Sequence, residues 1–118
     1  MKGSEAVLFF TPTEKQMDAL QRTFKNEDDF NTAADDAAEY WGKIDEYLKE
    51  NHVKYDTIPM NTVIYLDKEK ERLSIPDEMG FGCLFIYKEG KYKEFVDIWD
   101  FIGSEWQAVN GRLEKEKQ

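Results

Sequence analysis

The apolar positions of this chain change period twice, and the changes mark its elements. Ala6-Val7-Leu8-Phe9-Phe10 is a short apolar run closed by Thr11-Pro12, which predicts a buried strand over residues 6–10. Thr11 as N-cap, Pro12 at the first helical position and Glu14 three residues after the cap predict a helix. Met17, Leu20 and Phe24 line one side of it, and it should end near Lys25-Asn26. A longer helix follows from about Asp28 to Asn51. There Phe30, Ala34, Ala37, Trp41, Ile44 and Leu48 recur at spacings of four and three, with Ala33, Tyr40 and Tyr47 widening the stripe. Ala33, Ala34, Ala37 and Ala38 make one end of this helix thin enough for close packing.

After Asn51 the period becomes two. Val53, Tyr55 and Thr57 alternate with Lys54, Asp56 and Ile58 until Pro59 interrupts. Thr62–Leu66 reads as a strand, Asp67-Lys68-Glu69-Lys70 as a charged turn and Arg72–Ile75 as the return strand. Pro76–Gly80 is a loop. Gly82–Tyr87 and Tyr92–Val96 flank Lys88-Glu89-Gly90-Lys91 as a hairpin, with Gly90 available for a positive φ. Ile98, Ile102, Trp106 and Val109 then predict a closing helix over Asp97–Val109, capped at Asn110-Gly111. The order is β-α-α-β-β-β-β-β-α, so the expected fold is α+β. It is one domain spanning residues 1–118, with 1–4 as a leader and 114–118 as a frayed tail. Its sheet would be single, largely antiparallel and five to six strands wide, with helices on one face and the other face left to water or a partner.

Charge sharpens this picture at one place. The segment Glu27–Glu50 holds nine acids and two bases, which is −7 of the chain's net charge of −9. At 100° per residue Asp28, Asp35, Glu39, Glu46 and Glu50 fall opposite the apolar stripe, with Asp36 beside them. Such a face repels nucleic acid and anionic membrane and attracts a basic protein partner. Its ordinary alternative is a solvated helix surface. Asp35/Glu39 and Glu46/Glu50 are like-charge pairs four apart, which destabilise a helix by a few tenths of a kcal/mol each.

The chemical inventory is otherwise sparse. Cys83 is the single cysteine, so no intrachain disulfide or cysteine metal cluster can form. It lies in an apolar run and reads as a small buried hydrophobe. His52, the single histidine, stands just past the long helix, where a cation suits the C-terminal dipole. No glycine-rich phosphate loop, Walker lysine, His-Glu-x-x-His, nucleophile elbow or Cys-x-x-Cys occurs. No basic patch with interleaved aromatics is present, and no run of 18 apolar residues spans a membrane. The expectation is a non-enzyme without cofactor or metal. Two further surfaces are candidates. Asp77, Glu78, Met79 and Phe81 form a recognition loop or a wide connection. Trp99, Phe101 and Trp106 on the closing helix form either core or an exposed patch for a homodimer.

Two resemblances can be attached to particular residues. Thr57–Lys68, with Pro59 ahead of a hairpin, and strand 6–10 running into a helix at Pro12 resemble elements of thioredoxin-like domains. Thr11-Pro12-Thr13-Glu14 stands where the redox cysteines of that family would be, and two helices follow without an intervening strand. The resemblance therefore implies a redox-inert relative. Phe10-x-Pro12, Asp35-Asp36 followed by Tyr40, and Gly80-Phe81-Gly82 are similar to small bacterial α+β proteins of unassigned function, some of them exported. If Met1 is the native start the protein is cytoplasmic; if Met1–Ser4 replaces a signal peptide it is periplasmic or exported. The leading functional expectation is a binding domain of the antitoxin or immunity type. The rival is an exported domain that binds a small molecule or peptide.

Overall fold

A computed structural model of the chain describes residues 5–66 and 71–116. Its elements run β1 (Glu5–Thr11), α1 (Glu14–Gln21), α2 (Glu27–Glu50), β2 (Asp56–Pro59), β3 (Tyr65–Leu66), β4 (Glu71–Arg72) and a 3-10 turn at Asp77–Met79. They continue with β5 (Cys83–Lys88), β6 (Tyr92–Asp97), α3 (Ile98–Phe101), β7 (Trp106–Val109) and β8 (Arg112–Lys115). The α+β class and the expected order hold as far as α3. The leader at 1–4, the charged turn at 67–70 and residues 117–118 lie outside the described residues.

The sheet differs from the expected one. Two helices separate β1 from β2, and such a crossover returns the chain in the same direction. β2 therefore pairs parallel with β1, Leu8 opposite Asp56 and Phe10 opposite Ile58. β5 pairs antiparallel with the other side of β1, and β6 antiparallel with β5. The result is a mixed four-stranded sheet of order β2-β1-β5-β6, accompanied by two separate two-stranded hairpins, β3-β4 and β7-β8. Alternation splits the core into two layers. Phe9, Leu84 and Ile86 face α2, which lays Ala37, Ile44 and Leu48 against them. Leu8, Phe10, Cys83 and Phe85 face the other way. Neither face is left open, because Leu66 buries itself there with Ile58, Met60, Ile64, Leu73 and Ile75 packed around it.

Local signals explain the element boundaries. Thr13, not Thr11, caps α1: its hydroxyl accepts from the Gln16 amide at 3.2 Å, and the Gln16 side chain accepts from the Thr13 amide at 2.9 Å. This is a capping box shifted by two residues, with Gln in place of Glu. α1 stops at Gln21, short of Phe24. α2 starts on Asn26, whose side chain accepts from the Asp29 amide at 2.8 Å. It ends in a Schellman motif. His52 sits at φ 59°, its amide donates to Lys49 and the Val53 amide donates to Leu48.

The closing helix is the largest correction. α3 has four residues, capped by Asp97, and Gly103 follows at φ 85°. Trp106–Val109 and Arg112–Lys115 then pair as strands across Asn110 (φ 52°) and Gly111 (φ 78°). Two adjacent positive φ values make a two-residue hairpin turn, the geometry that Asn-Gly favours most strongly. Ile102 and Val109, which a helix would have buried, are 40% and 42% exposed. Glu114 and Lys115 belong to β8 and are not part of a frayed tail.

Candidate functional site

The 24 residues of α2 span ~36 Å. The core fixes its rotation, since Phe30, Ala37, Ile44 and Leu48 are buried along one side. Asp28, Asp35, Asp36, Glu39, Glu46 and Glu50 are all exposed on the other. Only Glu39 among these six has a cation partner in the described residues, Lys43 at 3.6 Å. Asp45 is different. It accepts a hydrogen bond from the Tyr55 hydroxyl and pairs with Lys49 at 3.1 Å, so its charge ties the helix to the connector that leads into β2. The Tyr55 hydrogen bond, aided by Lys49, holds the Asp45 carboxyl below its usual range. Burial and the Asp45 charge push Tyr55 up to about 12.

The acids have different local reasons to be there. Glu27, Asp28 and Asp29 occupy the first turn, where unsatisfied amides and the macrodipole favour anions. Asp28 thus has a structural role whatever else it does. Glu46 and Glu50 sit toward the opposite, negative end, where Lys49 is the one base in the last turn. These two stand against the dipole and against each other.

The remaining predicted residues separate. Asp77 and Glu78 are exposed on the 3-10 turn. Met79 packs against the core layer around Phe85. Phe81 joins an aromatic cluster, 6.1 Å from Phe24, 6.3 Å from Phe30 and 5.9 Å from Trp99. Of these four residues, Asp77 and Glu78 are thus exposed, while Met79 and Phe81 are half-buried and packed inward. The aromatics of the closing segment are also used internally: Trp99 packs on Tyr40, Phe101 on Tyr47, and Trp106 on Tyr92. Phe101 and Trp106 are buried and Trp99 is half-buried, and the exposed large apolar side chains of this segment are Ile102 and Val109.

Cys83 is fully buried, and burial together with the Asp97 charge pushes its thiol up to about 12. That is the reverse of what a nucleophilic thiol needs. Asp97 itself is raised, burial outweighing its hydrogen bond from the Trp99 amide. No group of three or more acids, cysteines and histidines among the described residues is placed to hold a metal ion. Among the described residues, no helix is long and apolar enough to cross a membrane.

Among the described residues, distant segments assemble two clefts that local sequence patterns do not mark. One, of about 530 Å³, lies between α1 and the arms of the β3-β4 hairpin and is lined by Leu20, Val63, Arg72, Ile75 and Pro76. The other, of about 410 Å³, opens between the Glu5 end of β1, the Lys88 end of β5, the connector 53–56 and the β8 side of the last hairpin. No protein-family model matches this chain, and no curated protein or solved structure matches it either.

Proposed function

We propose that this protein is a non-catalytic binding domain that presents the acidic face of α2 to a basic protein, as an antitoxin or immunity-type inhibitor does to a nuclease-like target. The observation that carries this reading is the placement of Glu46 and Glu50. Neither has a cation partner among the described residues, and both lie near the negative end of a helix whose rotation the core fixes, at a small cost in stability. Asp35, Asp36 and Glu39 continue the same surface toward the middle of the helix. An array of this sign on a rigid rod acts chiefly on association rate, and its effect fades as salt rises.

The test is capture of basic proteins from the source organism, at low and then high salt, on the wild-type chain and on an Asp35→Lys, Glu39→Lys, Glu46→Lys variant. The expected result is a salt-sensitive basic partner whose association with the variant is much slower. Unchanged association kinetics at low salt would reduce the face to a solvated surface.

A second reading is favoured by one observation, the mixed sheet in which a parallel β1-β2 pair across helices is joined to the antiparallel β5-β6 hairpin. That arrangement suits a redox-inert thioredoxin-like domain that binds a small molecule or peptide. The sheet face opposite α2 is covered, so the ligand would have to use a cleft.

A further inference from the structure

We infer that the 410 Å³ cleft beside the β7-β8 hairpin is a binding site for a small amphipathic carboxylate, with its apolar body on the cleft floor and its head at the basic rim. The floor is apolar and close-packed. Val7 and Ile86 come from adjacent strands of the sheet and Leu113 from β8, and all three belong to the core layer under α2. The volume lies within the range of small-molecule sites and has room for on the order of a dozen water-sized groups.

The rim is basic in a chain that is otherwise acidic. Lys54, Lys88 and Arg112 line the cleft against two acids, Glu5 and Asp56. Lys88 and Glu5 neutralise each other at 3.0 Å. Lys54 has no ion pair among the described residues, while Arg112 makes a long ion pair with Glu114 at 3.9 Å. Three cations thus line the cleft against two carboxylates, and Lys54 is the cation that no described carboxylate pairs. An anionic head with a short apolar tail satisfies both parts, because the head makes charge-assisted hydrogen bonds while the tail covers apolar surface. A bare anion uses only the rim, and a neutral apolar molecule leaves the rim unused.

The site is separate from the acidic face of α2, so it stands or falls independently of that reading. The experiment is an amide-resolved NMR titration of the full chain with octanoate, with acetate and octan-1-ol as controls. Octanoate should give saturable shifts centred on Val7, Ile86, Gly111 and Leu113, with each control at least about tenfold weaker. A Lys54→Gln, Arg112→Gln double variant, whose changes lie on the surface, should bind octanoate about tenfold more weakly and octan-1-ol as before. Absence of saturable shifts, shifts centred on the other cleft, equal binding of the alcohol, or undiminished octanoate binding by the double variant would each overturn the assignment.

Discussion

The indole Nε1 of Trp41 donates a 2.7 Å hydrogen bond to the backbone carbonyl of Phe81, joining the middle of α2 to the segment that enters β5. The next residue has to be glycine for this approach. Gly82 lies at φ 122°, and a Cβ there would stand 2.9 Å from the Phe10 carbonyl oxygen and 3.1 Å from the indole nitrogen. One residue of the helix stripe thus sets the position of the central hairpin.

Trp41→Ala removes both the ring from the core and the donor for that carbonyl, and should destabilise the fold by roughly 3–5 kcal/mol. Trp41→Phe keeps most of the packing and should cost about 1–3 kcal/mol, chiefly for the unsatisfied carbonyl. Urea midpoints measure both. A Trp41→Ala midpoint near wild type would mean that this side of α2 is not what holds the sheet.

The last hairpin makes a comparison between two glycines. Gly111 and Gly90 both have positive φ, but a Cβ at Gly111 would sit 3.1 Å from the His52 carbonyl oxygen, while one at Gly90 meets nothing within 4 Å. Each alanine substitution pays the left-handed cost of about 1–2 kcal/mol. Gly111→Ala should exceed Gly90→Ala, because His52 is held at φ 59° by the hydrogen bonds that end α2, which leaves its carbonyl little freedom to shift. Equal midpoints for the two variants would show that the close approach carries no weight.

The same hairpin shows where the sequence was legible. Elements carried by long periodic stripes could be read: α2 was placed within a residue at each end, and the β5-β6 hairpin with its glycine turn came out nearly whole. The closing helix did not, because Ile98, Ile102, Trp106 and Val109 also fit a helical spacing. Gly103-Ser104 and Asn110-Gly111 were the opposing signals, and Asn-Gly between two short alternating runs is a hairpin mark. The parallel β1-β2 pair follows from the helical crossover, a consequence that the expectation of a largely antiparallel sheet leaves out. The candidate acids were readable because helix rotation alone sets their exposure. The clefts were not, because Val7, Ile86 and Leu113 meet only through tertiary packing.

Alkaline pH should expose two groups held neutral by the fold. Cys83 and Tyr55 are both pushed up to about 12, from ordinary values of 9.0 and 10.0. Between those limits the unfolded chain has lost protons that the native chain keeps, so stability falls as pH rises from about 9 toward 12. Urea midpoints across this range should decline, and Cys83→Ala should flatten the lower part of the decline while costing stability at pH 7. Rapid modification of native Cys83 by a thiol reagent near neutral pH would contradict its burial and reopen the non-enzyme reading.

The two ends of α2 should answer the same charge change with opposite signs. Asp28→Lys places a cation among the free amides of the first turn and should destabilise by about 0.3–1 kcal/mol. Glu50→Lys places one at the negative end and also relieves the repulsion with Glu46, so it should stabilise by about the same amount. Both positions are exposed, so added salt should shrink both effects. Thermal midpoints of the two variants at low and high salt measure this directly. If Glu50→Lys gave no gain, the acids at that end would carry no stability cost, and the main reason for assigning them a binding role would disappear. If it did stabilise, the same variant should bind the basic partner more slowly. Stability and association would then move in opposite directions at one residue, as expected of an acid kept for binding.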